Sequence, residues 1–416
     1  ARGGGLESTK PGLQSTAAAA MGLRLSPGMP VRYNPTVETE PKTGETERKR
    51  QAGEPAGVRV VPAAEGMAEA VERLRAGKLV AFPTETVYGL GADARDPDAV
   101  AQVFAVKGRP ATNPVIVHAA DAEAARELAG AWPDAAAKLA DRFWPGPLTL
   151  VVPKTGAIPD IVTAGGETVG LRVPDHPVAR ELLRRSGVPV AAPSANRSEE
   201  VSPTLARHVA DSLGPFTDDL LILDGGPCQV GLESTVVDVT SNPPRVLRPG
   251  MVTRAMLAEV IGDVAAPPRA VRGGGRGPAR SPGQMLRHYA PRAPLVLVPQ
   301  QELIHFAFEP TDALLWRTVW PGSTIARTTD PVRLPNVHMS RYAAEYAAQL
   351  YDALRRMDAA GVKRILVEEP PSGKNWKAIH DRLARAAVPG GVSPAGGPPP
   401  RVRPPSPALR ATPPPI

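Results

Sequence analysis

The 416-residue chain exceeds the roughly 250 residues at which a single hydrophobic core stops growing, so we expect at least two domains. Hydrophobic residues make up 42% and charged residues 22% of the chain, as in soluble globular proteins, and the lack of any run near about 18 apolar residues argues against a membrane protein. Cys228 is the one cysteine, which excludes intramolecular disulfides and zinc ribbons, and we expect a reducing, cytoplasmic compartment.

The net charge of +7 raises the question of nucleic-acid binding, and the positions of the basic residues answer it. Segments 265–281 and 388–416 carry arginines and no acidic residue. These arginines are Arg269, Arg272, Arg276, Arg280, Arg401, Arg403 and Arg410. They account for the whole excess, so the rest of the chain is near neutral and offers no electrostatic argument for RNA binding.

Composition and periodicity divide the chain into five parts. Residues 1–57 lack hydrophobic periodicity, so we expect a disordered N-terminal extension. Alternating strand and helix patterns over 58–264 predict an α/β domain with a mixed sheet. The Gly/Pro/Arg-rich segment 265–293 is predicted to be a linker, 294–387 a smaller α/β domain, and 388–416 a disordered proline-rich tail.

Local signals predict the elements of both domains. One helix has Asp96 as a candidate N-cap, Pro97 in its first turn and Gly108 as a stop. In the first domain the predicted helices are 65–76, 97–108, 122–128, 133–142, 177–185, 203–213 and 254–261, and the predicted strands are 79–82, 115–118, 148–152, 169–173, 188–192, 220–223 and 235–239. In the smaller domain we predict strands at 295–298 and 364–367 and helices at 343–359 and 376–387.

A glycine-rich string at Gly89–Ala94 matches the pattern G-x-G-x-x-A of dinucleotide-binding folds. A working fingerprint joins a strand directly to a helix. Here residues 83–88 separate the string from the preceding strand, and the next helix starts only at Pro97. We therefore do not predict a dinucleotide site, and the sequence also lacks a P-loop and a G-x-S-x-G elbow.

Polar, turn-rich strings instead follow the predicted strands, where α/β proteins usually bind ligands. They read FPTETVYGLG at 82–91, KGRP at 107–110 with Asn113-Pro114, FWPGPLT at 143–149, LRVP at 171–174, APSAN at 192–196, LEST at 232–235 and LRPG at 247–250. Ser281-Pro282-Gly283 and His288-Tyr289-Ala290-Pro291 follow between the two domains. At these residues the chain resembles the YrdC-like family of threonylcarbamoyl-AMP synthases, in its long, two-domain form, over about 58–387.

The resemblance implies a YrdC-like mixed-sheet domain followed by a smaller Rossmann-like α/β domain, with disordered termini. It implies condensation of L-threonine, bicarbonate and ATP to threonylcarbamoyl-AMP and pyrophosphate, for modification of the tRNA adenosine next to the anticodon. The implied partners are a downstream tRNA threonylcarbamoyl transferase complex and a weak contact with tRNA or double-stranded RNA, and no membrane. Magnesium is expected with ATP, without a cluster of protein ligands.

Candidate site residues follow from the same strings. Lys107 and Arg109 are two cations on one short turn, so we expect them to be catalytic by gripping triphosphate oxygens. The alternative is that these cations stabilise the C-terminus of a helix. The resemblance implies that L-threonine is bound by Thr86, His118, Arg172, Ala192 and Ser234, and ATP by Arg109, Asn113, Thr168, Ser194, Asn196, Ser202, Arg248 and Tyr289.

A purely structural role is possible for several of these residues. Arg172 lies in an otherwise apolar strand, so its charge needs an anion, either the threonine carboxylate or an acidic side chain of the protein. The structural roles considered for the rest are turn formation for Asn113, Ser194 and Asn196, a core histidine for His118, a helix N-cap for Ser202, and packing between domains for Tyr289.

Two different functions compete with this interpretation. The first is a noncatalytic RNA-binding module of the same fold, against which the near-neutral charge argues. The second is a carbamoyltransferase domain related to hydrogenase maturation. Chains of that second kind carry zinc-finger cysteines, which Cys228 alone cannot supply.

Overall fold

The computed structural model describes residues 57–267, 288–303, 306, 308–318 and 336–388. The predicted extension up to residue 56, the Ser281-Pro282-Gly283 string, the seven arginines of the charge argument, the tail from 389 and most of the predicted linker lie outside the described residues. None of the helices in the described part of the chain has the length and apolar composition needed to cross a membrane.

A ten-stranded mixed sheet forms the first domain, with the strand order β1-β8-β2-β3-β7-β4-β6-β5-β9-β10. Its strands are β1 Val58–Pro62, β2 Val80–Phe82, β3 Gly89–Asp93, β4 Ile116–His118, β5 Leu148–Pro153, β6 Thr168–Arg172, β7 Val190–Ala191, β8 Leu220–Asp224, β9 Thr235–Asp238 and β10 Arg245–Arg248. β4 runs parallel to β6 and antiparallel to β7, so two chain directions meet in the middle of the sheet.

Helices pack against this sheet and bury its apolar side chains. They are α1 Ala63–Arg75, α2 Pro97–Lys107, α3 Ala122–Glu127, α4 Asp134–Phe143, α5 Asp160–Thr163, α6 Pro177–Ser186, α7 Ala206–Leu213 and α8 Arg254–Ile261. Asp96 caps α2 by accepting hydrogen bonds from the amides of Asp98 (2.9 Å) and Ala99 (3.2 Å). Gly108 ends α2 in the left-handed conformation, with φ of 58°.

The second domain is a smaller, all-parallel sheet of four strands in the order β11-β14-β12-β13. Its elements are β11 Leu295–Val298, α9 Gln300–Leu303, β12 Asp312–Trp316, β13 Val337–His338, α10 Ala343–Ala359, β14 Arg364–Glu368 and α11 Lys377–Ala386. The mixed α/β fold class with a second, smaller sheet domain is confirmed.

One local expectation needs correction. The helix predicted at 203–213 begins at Ala206, and Leu205 holds the N-cap position without a side-chain cap. Ser202 is therefore not a helix N-cap. Gly89–Asp93 of the glycine-rich string form β3, which pairs antiparallel with β2, so the string is not followed directly by a helix. Among the described elements, β1, β3, β10, β12, β13, α5 and α9 were not predicted.

The two domains share one hydrophobic cluster. Val87, Val201 and Leu232 of the first domain pack in it with α10, including Leu350 and Leu354. Polar contacts surround this cluster. The Asp352 carboxylate of α10 lies 3.0 Å from Arg207 and 3.3 Å from His208, and the guanidinium of Arg355 donates to the carbonyl of Val201.

Substituting Gly231 by alanine tests whether α10 must approach the first domain this closely. A Cβ there would lie 2.5 Å from the carbonyl oxygen of Ala347 and 2.5 Å from Cα of Ala348 in α10, and Gly231 has φ of 73°. Gly226, in the same loop, has φ of 82° and open space around it. We expect Gly226→Ala to lower the free energy of unfolding by about 1 kcal/mol through backbone strain alone. Gly231→Ala should lower the free energy of unfolding by at least about 2 kcal/mol more than Gly226→Ala does, because of the clash with α10. Urea unfolding of both variants measures the difference, and equal losses would contradict the packing described here.

Candidate active site

A cavity with about 560 Å³ of empty space, part of it open to solvent, lies where several strands of the first sheet end. His118 is the last residue of β4 and Arg172 the last of β6, and these two residues are register partners in the parallel pair. Ser194, after β7, and Ser234, just before β9, line the same cavity. This edge of the sheet therefore collects polar side chains from segments that are far apart in the sequence.

Most of the predicted site residues line this one cavity. They are Thr86, Arg109, His118, Arg172, Ala192, Ser194, Ser234, Arg248 and Tyr289. Thr84, Glu233 and His288 also line it, although no role was predicted for them. The structure thus brings the predicted L-threonine residues and four of the predicted ATP residues into a single hollow.

Arg109 and Arg248 make part of the wall strongly cationic. Burial lowers the pKa of Arg109 to about 10, and the charge of Arg248 adds to the lowering. Burial also lowers the pKa of Arg248, to which the charges of Arg382 and Arg172 contribute. Arginine side chains keep their proton at neutral pH, so both groups are cations. Like charges held together out of water are favourable only when an anion joins them, so the wall suits a polyanion.

Backbone carbonyls hold Arg109 in place after the end of α2. Its Nε donates to the carbonyl of Asn113 (3.0 Å) and its Nη2 to the carbonyl of Pro114 (2.6 Å). The guanidinium also lies 5.9 Å from the centre of the Phe104 ring. Asn113 is in the turn that positions Arg109 and is not part of the cavity wall.

Lys107 lies behind the wall rather than on it. Its Nζ donates to the carbonyl of Ser194 (2.5 Å) and to the carbonyl of Asn196. Asn196 in turn donates from Nδ2 to the carbonyls of Arg197 (2.7 Å) and Glu200 (3.0 Å). Burial, with the charge of Arg109, lowers the pKa of Lys107 well below its usual value. Lys107 and Asn196 therefore shape the turn that carries Ser194, which differs from the direct phosphate contacts we predicted for them.

Arg172 faces the cavity and is paired with an acidic side chain. Its Nη2 lies 2.8 Å from Oε1 of Glu85, at an angle that does not make a hydrogen bond, while its Nε donates to the carbonyl of Gly146 (3.3 Å). The other oxygen of Glu85 accepts the amide of Asp175 (3.0 Å). The acidic partner considered in the sequence is therefore Glu85. Because Arg172 also lines the cavity, the ion pair leaves room for a second anion on the open side of the guanidinium.

His118 is a neutral histidine at the cavity. Burial lowers its pKa to about 3, and the charge of Arg172 contributes. Its ring meets that of Phe82 edge-on, at 6.4 Å between centres and 89° between planes. Within the described part of the chain, Nδ1 has no hydrogen-bond partner. His118 is thus packed like a core residue, yet it keeps one polar atom for a ligand.

Ser234 and Arg248 are held together by hydrogen bonds. Arg248 donates from Nε to the carbonyl of Ser234 (3.1 Å) and from Nη2 to its hydroxyl (3.1 Å). The Ser234 hydroxyl lies 2.8 Å from that of Thr149. These contacts fix the direction of the guanidinium, so it meets a ligand already oriented.

Tyr289 lies in the segment that precedes the second domain and covers one side of the cavity. It is 1% exposed, and its ring stacks on Tyr351 of α10 with 6.0 Å between centres. On the neighbouring His288, burial lowers the pKa to about 3, so its ring is neutral. Both residues line the cavity. Tyr289 therefore packs between the domains, the structural role considered for it, and also lines the cavity, as the predicted contact with ATP requires.

Besides Lys107, Asn113 and Asn196, two further predicted residues, Thr168 and Ser202, do not line this cavity. Thr168 lines a neighbouring hollow with Thr149 and Thr163, and Ile116 borders both spaces. Ser202 donates a 2.6 Å hydrogen bond to Oε1 of Glu233. Ser202 therefore reaches the cavity only through Glu233.

Glu233 is the acidic residue on the wall that the sequence interpretation missed. It lies within the LEST string beside Ser234. Its partners Tyr351 and Arg382 are 118 and 149 residues away in the chain. Only the string itself could have drawn attention to Glu233, because no local pattern indicates contacts at such separations.

The described residues do not fit a protein-held magnesium site. Among them there is no cluster of three or more His, Cys, Asp or Glu side chains that could hold a metal ion. The nearest carboxylates are already engaged, Glu85 by Arg172 and Glu233 by Ser202 and Arg382. No step of the chemistry is assigned to a metal bound by this chain.

Two family models match consecutive parts of the chain. The model described as "Telomere recombination" matches residues 72–250. The model described as "Threonylcarbamoyl-AMP synthase, C-terminal domain" matches residues 252–388. The first covers most of the ten-stranded domain and the second covers the four-stranded one.

Whole-chain similarity agrees with these matches. The chain is 42% identical to the threonylcarbamoyl-AMP synthase of Pyrococcus abyssi, covering 76% of this chain and 92% of the relative. It is 41% identical to that of Bacillus subtilis, covering 77% and 92%. The crystal structure of P. abyssi Sua5 complexed with L-threonine matches with a TM-score of 0.69 and 37% identity, covering 80% of this chain and 96% of that one. The chain therefore belongs to the threonylcarbamoyl-AMP synthase family, in its two-domain form.

Proposed function

We propose that this chain condenses L-threonine, bicarbonate and ATP to threonylcarbamoyl-AMP and pyrophosphate. The observation that carries the proposal is the single cavity in which Arg109, Arg172 and Arg248 meet the neutral His118. Three cations suit a triphosphate beside an amino-acid carboxylate. The P. abyssi relative, whose structure holds L-threonine, supports this choice of amino acid.

The roles of the wall residues follow from their charges. Arg109 and Arg248, which are already oriented by backbone and Ser234 contacts, bind the phosphates. Arg172 binds the threonine carboxylate on the side away from Glu85. The hydroxyl of Thr86 and the neutral ring of His118 hydrogen-bond the remaining polar groups of threonine without adding charge.

The chemistry needs positioned substrates and no nucleophile from the protein. The threonine amine attacks the carbon of bicarbonate, and loss of water gives the carbamate. A carbamate oxygen then attacks the α-phosphorus in line, and the bond from this phosphorus to the β-phosphate oxygen breaks to release pyrophosphate. Charge neutralisation and alignment supply the acceleration in such transfers.

The product is a mixed anhydride, which water would hydrolyse. Tyr289 and His288 cover the cavity, and Tyr289 is itself almost completely buried. A closed site protects both the carbamate and the anhydride from water. We assign this protective role to the covering segment.

Magnesium, the compartment and the partners complete the proposal. Magnesium enters with ATP, held by phosphate oxygens and water, as it commonly is in phosphoryl transfer. The protein works in the cytoplasm and passes its product to a tRNA threonylcarbamoyl transferase complex that modifies the adenosine next to the anticodon. Any tRNA contact of the chain itself is weak, because the charge outside the two basic segments is near neutral.

An omission assay tests the proposed reaction. We expect pyrophosphate release when ATP, threonine and bicarbonate are all present, and only background release when any one is left out. Mass spectrometry should detect threonylcarbamoyl-AMP in the complete mixture. Release that does not depend on threonine contradicts the proposal, and RNA binding without any such release would favour the noncatalytic RNA-binding module.

A further inference from the structure

Glu233 places a negative charge in a cavity that is otherwise suited to anions. Its side chain lines the cavity and is 8% exposed. Burial by itself would raise its pKa, but the charges of Arg382 and Arg248 and the hydrogen bond from Ser202 lower the pKa to about 2. Glu233 is therefore ionised at any pH at which the protein works. A buried carboxylate at this place repels a triphosphate unless its charge is compensated.

The compensating charge comes from the second domain. Nε of Arg382, in α11, donates to Oε2 of Glu233 at 2.7 Å, and the Arg382 side chain is 0% exposed. The Tyr351 hydroxyl of α10 lies 3.1 Å from the same Oε2. Arg382 also donates from Nη1 to Asp381 (2.7 Å) and lies 4.9 Å from the centre of the Tyr289 ring. The carboxylate on the cavity wall is thus bound on one side by two side chains that belong to the second domain.

Arg248 explains why this compensation matters for the ligand. Glu233 and Arg248 lie close enough for each charge to shift the pKa of the other. If Arg382 were absent, Arg248 would be the remaining cation of the wall beside Glu233. Pairing between the two would take Arg248 away from phosphate and leave an acidic group facing the site.

We propose that Arg382 is a positioning residue of the ATP site, because its pairing with Glu233 leaves Arg248 available for phosphate only when the second domain is docked. The second domain thereby controls the charge of a cavity that none of its described strands lines. This inference rests on the proposed function, since it takes the phosphate ligand to be ATP.

A double variant separates this role from simple adhesion between the domains. We would measure ATP binding by isothermal titration calorimetry with the full chain, magnesium and no threonine. Arg382→Gln leaves Glu233 uncompensated and is expected to weaken ATP binding at least about tenfold. Glu233→Gln should bind ATP at least as tightly as the unmodified protein. The double variant should bind within about threefold of Glu233→Gln, because the charge that Arg382 compensates is gone.

A matched variant controls for docking itself. Asp352→Asn removes the interface ion pair with Arg207 and the contact with His208, whose pKa is lowered by burial, without touching Glu233. We expect it to change the ATP dissociation constant by less than about threefold, as is usual for partly exposed pairs.

Recovery of ATP binding in the double variant supports the proposal. Equal weakening of ATP binding in Arg382→Gln and in the double variant would show that Arg382 only holds the domains together. That result overturns the proposal. If Arg382→Gln does not fold, the comparison of Glu233→Gln with the double variant still decides, and a further loss of about tenfold or more in the double variant overturns the proposal. Lack of ATP binding by the unmodified chain would instead contradict the proposed function.

Discussion

Replacing Arg109 by alanine is expected to slow threonine-dependent pyrophosphate release by about a hundredfold or more, as when one preorganised charge contact is lost. That factor corresponds to about 2.7 kcal/mol of transition-state stabilisation. We expect a lower kcat and a higher KM for ATP, because Arg109 belongs to the cationic part of the cavity wall. KM for threonine should change little, since Arg172 is retained.

Two comparison variants make the Arg109 result specific. Arg142 is an exposed arginine whose guanidinium lies 5.4 Å from the centre of the Phe143 ring, so Arg142→Ala removes a similar cation–aromatic contact at a residue that does not line the cavity. It should leave all kinetic constants unchanged. Arg109→Lys keeps the charge but loses the planar fork that donates to Asn113 and Pro114, so an intermediate rate is expected. Near-normal turnover of folded Arg109→Ala, with folding verified by urea unfolding, contradicts the role assigned to Arg109.

Elements with local signals could be predicted from the sequence. α2 is the clearest case, because Asp96 caps its first turn and Gly108 ends it in a conformation that glycine tolerates best. The strands that were missed have weaker signals. β13 has only two residues. β1 is partly exposed, and its partner β8 lies more than 150 positions later in the chain. Such pairing is decided by tertiary packing and leaves no mark on the segment itself.

The site was predictable as a set of segments but not as a set of side-chain directions. The strings at strand ends correctly indicated which loops meet, because parallel neighbours such as β4 and β6 end at the same edge. The spacing of Lys107 and Arg109 indicated a cationic turn, but it could not tell which side chain would face the carbonyls of Ser194 and Asn196. The role of Glu233 depends on Arg382 in the other domain, and no local sequence pattern could have predicted that contact.

Arg172 is expected to bind the threonine carboxylate, and its removal should produce the second large effect. Arg172→Ala should raise KM for threonine by about a hundredfold, which is typical when one partner of a buried charge pair is truncated. It should also lower the free energy of unfolding by about 3–5 kcal/mol, because Glu85 is then buried without its cation. KM for ATP should change far less. Initial rates at varied threonine and urea unfolding measure the two consequences separately.

Glu85 provides the variant that separates binding from stability. In Glu85→Gln the guanidinium of Arg172 loses its internal partner but stays beside the cavity, so KM for threonine should fall or remain the same. In the double variant Arg172→Ala with Glu85→Gln, the buried carboxylate is gone, so much of the lost stability should return. Threonine binding should stay weak, because no cation is left to receive its carboxylate. If KM for threonine recovers together with stability, Arg172 only neutralises Glu85, and the threonine carboxylate must be bound elsewhere in the cavity.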